Sequence, residues 1–198
     1  VALWGFTNET ERDPARPDRV ENAPEAGVDA TDGEHPIGTV VSGCLIHDIG
    51  LFAKQSAFVF QAKSSRTVVR SNVFFTAPRA GINLNDGLGG GDLIEKNLIF
   101  TVVRETTDHR QPFLTEQGIY MSPRNITRNF LVNSYNPQEC VDNDDGSSRY
   151  ETSYNFLVYG KQGLKNDFGG HSNFHHNNIY AFSDRALGVD PTYPGFED

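Results

Sequence analysis

Residues 69–75 read VRSNVFF, and near-copies of this stretch recur down the chain. IEKNLIF occupies 94–100, ITRNFLV 126–132, TSYNFLV 152–158 and FHHNNIY 174–180. Aligned on the Asn, the copies place Asn72, Asn97, Asn129, Asn155 and Asn177 in one frame, and VSGCLIH at 41–47 fits it with Cys44 in the Asn place. The spacing averages about 27 residues, which is the period of a solenoid repeat.

Each unit holds a short apolar run on either side of a polar pair, then a turn and a further strand. The runs come in threes, VFF, LIF and FLV, rich in β-branched and aromatic residues, without the spacing of an amphipathic helix. Units of this length with several short strands match one turn of a right-handed parallel β-helix, with equivalent residues of successive turns stacked at strand spacing, about 4.8 Å. Six aligned units predict an all-β solenoid of about six coils over residues 37–190. The recurrent Asn then has a structural role. Where a coil bends, backbone groups leave the sheet and need partners, and a carboxamide supplies both a donor and an acceptor. The Asn column is expected to be buried, with Cys44 ending it as a small apolar substitute.

Composition agrees. Only 37% of the 198 residues are apolar, beside 19 Gly, 10 Pro and 16 Asn, so turns are frequent. A net charge of -9, from 26 acidic and 17 basic side chains, argues against a phosphate-binding surface and so against nucleic acid as partner. No apolar run is long enough to span a membrane. The strand-like opening VALWGF leads into a charged, Pro-rich, aperiodic stretch, so residues 1–36 read as a strand start plus an irregular excursion and 191–198 as a C-terminal tail. Such an opening suits a piece of a longer precursor. Cys44 and Cys140 permit one disulfide without demonstrating it. The sequons at Asn8 and Asn125 are glycosylation acceptors if the chain is secreted.

The phrases GTVVSGCLIHDIG, KQSAFVFQAKSSRTVVRSNVFF, PRAGINLNDGLGGGDLIEKNLIF, VRETTDH, RQPFL, VDNDDG and KNDFGGH resemble a family of extracellular, pectate-lyase-like right-handed parallel β-helix proteins. The resemblance covers roughly residues 37–182; more distantly, KQS…FQA and AGI are similar to β-helical glycoside hydrolases. It implies a secreted, carbohydrate-active protein. The family reads DHGPFNSWDRQPFL where Asp108-His109 here runs directly into Arg110, so a site built on that loop is in doubt.

A second register carries acid. It begins about 12 or 13 residues after the ladder asparagines, with Asn85-Asp86-Gly87 after Asn72, Asp142-Asn143-Asp144-Asp145-Gly146 after Asn129 and Asn166-Asp167 after Asn155, and Asp190 follows Asn177. Stacking predicts an acidic stripe, with carboxylates about 5 Å apart on adjacent rungs and about 10 Å on alternate ones, close to the spacings of retaining and inverting glycosidases. Like charges so placed leave one carboxyl protonated and its neighbour ionised. Asp142, Asp144, Asp145 and Asp86 are therefore the candidate acid/base and nucleophile set, with Asp167 or His109 assisting. Two other readings stay open. NDG and DDG are turn formers, and Asp142, Asp144 and Asp145 also suit calcium, the one cofactor considered. Lys54, Arg79, Arg104 and Glu105 are candidate substrate-binding residues, the cations especially for a uronate. His171, His175 and His176 do not read as a shared metal site, because His175 and His176 point to opposite faces of a strand.

Phe58, Phe60, Phe74, Phe75, Phe100, Phe130 and Phe156 recur at equivalent places and read as interior, whereas Trp4, Tyr135 and Tyr159 are the aromatics expected outside. Two functions follow: a secreted polysaccharide-cleaving enzyme, hydrolase before lyase, or a noncatalytic matrix, coat or filament component. In the second, the rod would associate end to end or contact its parent chain.

Overall fold

The structure, a computed structural model, describes residues 1–4, 11–12, 20–21, 35–105, 113–116, 119–120, 123–132, 139–144, 147–166 and 170–189. Of these, 11–12, 20–21, 86–88, 113–116 and 119–120 are described by backbone alone. Every turn of the chain lays down three strands, one in each of three parallel sheets. The first short sheet stacks Val40–Ser42, Val68–Arg70, Leu93–Glu95, Arg124–Thr127, Tyr150–Ser153 and Phe174–His176. The second stacks Leu45–His47, Val73–Phe75, Leu98–Phe100, Phe130–Val132, Phe156–Val158 and Ile179–Ala181. The long sheet stacks Ala2–Trp4, Val59–Ser65, Ile82–Gly90, Phe113–Glu116, Glu139–Asp144, Gln162–Asn166 and Arg185–Val189, with Ile119–Tyr120 also paired on Ile82–Gly90. One antiparallel pair, Glu11–Arg12 with Val20–Glu21, stands apart.

The fold is thus the expected all-β solenoid, though of about five turns rather than six. Six strands in a short sheet bound five rung intervals, and the aligned repeats counted the rungs. Residues 1–4 open with a strand, Ala2–Trp4, that adds a rung beside Val59–Ser65.

Three-residue strands alternate out, in, out, so one residue per strand reaches the interior. Val69, Ile94 and Ile126 supply it from the first short sheet, and Phe74, Ile99, Leu131 and Leu157 from the second. Ile82, Val141 and Leu164 supply it from the long sheet. Each such side chain contributes roughly 1.5–3 kcal/mol by leaving water. A lone turn cannot offset its own ordering entropy, so neighbours stabilise one another. The same alternation corrects the phenylalanines. Phe58 and Phe74 are interior, but Phe75, Phe100, Phe130 and Phe156 face outward at the first or third positions of their strands, and Phe60 faces outward from the second position of Val59–Ser65. An apolar triplet looks interior in sequence, yet in the second short sheet the middle member enters the core while its neighbours, buried Val158 apart, stay at the surface or half-buried. The outward rings meet along the axis instead: His47 stacks on Phe75 at 4.8 Å and Phe75 on Phe100 at 5.0 Å, while Phe130 and Phe156 lie 5.0 Å apart with their planes tilted by 57°.

The junction between the two short sheets is two residues long in every turn. Its first residue is left-handed: Gly43, Ser71, Lys96, Arg128, Tyr154 and Asn177 all have φ between 54° and 68°. The second points its side chain inward, and these residues form the ladder. Asn72 Oδ1 accepts the Cys44 N–H at 2.9 Å, and Asn97 Oδ1 accepts both the N–H and the Nδ2 of Asn72. Asn97 Nδ2 donates to Val69 O in the preceding turn, and the pattern repeats through Asn129 and Asn155. Its last member is Asn178, whose Oδ1 accepts from Asn155, and not Asn177, which is exposed in the left-handed position. Two consecutive asparagines fit both roles, since Asn tolerates a left-handed backbone as well as bridging turns. Register decides between them: His175 pairs with Thr152, which puts Asn178 over Asn155. Cys44 does end the column, and it and Cys140 are not joined in a disulfide.

A second inward column runs where the long sheet hands over to the first short sheet, through Thr67, Asp92, Arg124, Tyr150 and Asn173. At the remaining corner, from the second short sheet to the long one, the connections are unequal. They span 48–58, 76–81, 101–112, 133–138, 159–161 and 182–184.

Candidate functional site

The outward face of the long sheet carries the acidic residues. In Ile82–Gly90, Ile82 and Leu84 join the core, so Asn83 points out; Val141 and Leu164 place Asp142 and Lys165 on the same face. One outward column contains Phe60, Asn83, Leu114, Asp142, Lys165 and Gly188. Asp144 lies two residues beyond Asp142 on the same side, and its register partner is Glu116.

Lys165 joins the two aspartates. Its Nζ lies 3.3 Å from Asp142 Oδ1 and 3.6 Å from Asp144 Oδ1. The two carboxylates are therefore held within about 7 Å of each other, where the spacing of inverting glycosidase pairs begins. All three are shielded: Asp142 is 0% exposed, Asp144 8%, and the Lys165 side chain 16%. Buried charges persist only when paired, and the ammonium offsets the repulsion that two carboxylates alone would suffer.

This differs from the expected acidic stripe in two ways. First, the rung neighbours of Asp142 are Leu114 and Lys165, not carboxylates. Asn83, Asp142 and Lys165 share a column although they follow Asn72, Asn129 and Asn155 at three different distances, because the length of the connection or the point at which the next strand begins changes from turn to turn. A constant sequence offset is therefore not a column. Second, two of the acids are not in turns: Asp86 lies within Ile82–Gly90 and Asp142 within Glu139–Asp144. Aspartate is depleted in strands, so turn chemistry does not account for these two. Asp144 ends its strand, and its carbonyl accepts the N–H and the hydroxyl of Ser147, so it also opens the turn that follows.

The other candidates are dispersed. Asp145, Asp167, His109 and Asn8 lie outside the described residues, as do Tyr135 and Asp190, and the Asp86 side chain is likewise not described. Lys54 and Glu105 meet at 2.8 Å as a half-exposed ion pair, an arrangement worth no more than about 1 kcal/mol. Arg79 and Arg104 occupy the same corner, in the connections that lead into the long sheet, upstream of the aspartate cluster along the strands. Asn125 sits on the outward side of the first short sheet between Leu93 and Glu151, half-buried. Trp4 and Tyr159 are exposed as expected, stacked on Phe60 and Phe182. Among the described residues no three His, Cys, Asp or Glu side chains are grouped to hold a metal. His175 and His176 do point apart. His175 faces Asn166, and His176 meets Glu151 on the surface.

Sequence reasoning missed Lys165, Asn83 and Lys63. Lys165 stands directly before the Asn166-Asp167 pair that attracted notice. Lys63 is buried at a bulge in Val59–Ser65 with φ 55°. Bulges and left-handed non-glycine residues gather at functional faces, but neither leaves a mark in an isolated sequence.

Fold and site together define a parallel β-solenoid protein with a buried carboxylate–ammonium–carboxylate cluster on the outward face of its widest sheet. Comparison with protein-family models, with curated proteins and with solved structures finds no match to this chain. The architecture is established by the strands themselves, and no family is assigned.

Proposed function

We propose that the chain is a secreted, carbohydrate-active β-helix that cleaves a glycan lying across the outward face of the long sheet. The observation that supports this most is the shielded contact of Lys165 with both Asp142 and Asp144 on the outward face, with Asp142 and Lys165 inside strands, where neither turn formation nor the core requires them. In this reading Asp144, the more exposed carboxylate, activates water or attacks the anomeric carbon. Lys165 neutralises developing charge or supplies the proton, and Asp142 holds Lys165 in place.

The test is an assay on a panel of neutral and acidic polysaccharides, with wild type beside Asp144→Asn, Asp145→Asn and Lys165→Met. Loss of turnover by about 100-fold or more at Asp144 with an unchanged melting temperature supports the reading. No turnover on any glycan, or turnover indifferent to all three changes, refutes it.

A second reading, a noncatalytic rod, is favoured by the last turn. Its inward-column residues Leu187 and Val189 are 46% and 66% exposed, and among the described residues no strand follows Arg185–Val189. Such an edge suits end-to-end pairing. Electron microscopy of native material separates the two, since a regular polymer supports the rod and discrete monomers the enzyme.

A further inference from the structure

Asn83 shares the outward column of Asp142, with Leu114 between them. It is 0% exposed, and neither Oδ1 nor Nδ2 has a hydrogen-bond partner. Other buried asparagines of this chain are engaged: Asn72, Asn97, Asn129 and Asn155 in the ladder, and Asn143 with Asn166. A carboxamide buried without partners opposes folding, and a residue retained at such a cost calls for an occupant that satisfies it.

We propose that Asn83 is a recognition residue for the glycan, reading a sugar unit bound two rungs from Asp142. Two rungs are about 10 Å, so the amide meets a unit beside the one being cleaved, not the reacting bond itself. Both halves of the amide are unsatisfied, and this selects the ligand chemistry. The matching group must donate to Oδ1 and accept from Nδ2, as vicinal hydroxyls or an acetamido group do. An ionised uronate carboxylate only accepts, and it would leave Oδ1 facing another oxygen. The inference rests on the glycan reading above and narrows it to a unit that turns vicinal hydroxyls or an acetamido group, and not a carboxylate, toward this position.

Two measurements on the intact chain test it. The first is thermal: with the orphan amide removed and its volume kept, Asn83→Leu should melt at or a few degrees above wild type. A lower melting temperature would mean that Asn83 serves the fold through buried water only, and the inference falls. The second is calorimetric titration with hexamers of β-1,4-glucose, β-1,4-N-acetylglucosamine and α-1,4-galacturonate. One of the first two should bind, and Asn83→Leu should weaken it by about 10- to 100-fold, with Asn83→Asp also impaired because it cannot donate. Any bound hexamer, galacturonate included, held equally by wild type and Asn83→Leu overturns the assignment while leaving the glycan reading intact. Binding of no hexamer by wild type removes both.

Discussion

Asn97 Nδ2 lies 3.0 Å from Asn129 Oδ1, a side chain 32 residues further along the chain. The same Asn97 amide donates to Val69 O, while its Oδ1 accepts two bonds from Asn72. Replacing it with Ala strands the Asn72 amide and the Val69 carbonyl in the interior. Asn97→Ala should therefore cost about 3 kcal/mol or more, read as a lower urea midpoint at unchanged slope.

The adjacent asparagines near the C-terminal end should behave oppositely. Asn177→Gly relieves a left-handed backbone and is expected to be neutral or stabilising by up to about 1 kcal/mol. Asn178→Ala removes the acceptor of the Asn155 amide and the donor to Thr152 O, for a loss of about 2 kcal/mol. Thermal melts of the two variants suffice, and equal losses would overturn the register.

The legibility of this chain follows from the same pair. The solenoid was readable because the ladder corner is short and of constant length, so Asn72, Asn97, Asn129 and Asn155 repeat in the sequence as they do in space. The acidic face was only half readable. Asp142 and Asp144 were singled out by composition, but Lys165 enters through a register that passes connections of unequal length, and Asn83 matters only because it is buried and unpaired. Burial on an outward face is a property of assembled turns, not of a local run of residues. Asn177 shows the limit at its smallest: a shift of one residue in the frame exchanges a surface corner for the interior.

The second inward column contains a buried ion pair. Arg124 Nε donates to Asp92 Oδ2 at 2.8 Å; Asp92 also accepts from the Thr67 N–H and from Gln61 Nε2, and Arg124 Nη1 donates to the Tyr150 hydroxyl. Asp92→Ala leaves the guanidinium unpaired and should cost about 3–5 kcal/mol, whereas Asp92→Leu combined with Arg124→Met should recover most of that loss. Denaturant midpoints of the two single variants and the double variant give the coupling.

His175 makes the fold sensitive to acid. Asn166 Oδ1 accepts from Asn143 and Asn173, which turns its Nδ2 toward His175 Nε2 at 2.9 Å, so the imidazole proton sits on Nδ1. Burial, with a smaller contribution from His176, pushes His175 down from 6.5 to about 4. Between those values the unfolded chain binds the proton and the folded chain does not, so stability is full above about pH 6.5, falls as pH drops toward 4 and then levels. The melting temperature followed from pH 7 to 4 should show this component in wild type and lose it in His175→Gln. An identical acid slope in both would assign the effect elsewhere.

The unequal connections between the second short sheet and the long one have a consequence for how such a chain can change. Nothing in the ladder or in the inward columns depends on how many residues intervene at that corner, since 159–161 and 48–58 both deliver a strand to the same register. Insertions and deletions there leave the scaffold intact and alter only what overhangs it. The opposite corner tolerates no such freedom, because one added residue would rotate the carboxamide out of its stack. Innovation and constancy are thus assigned to different edges of one molecule.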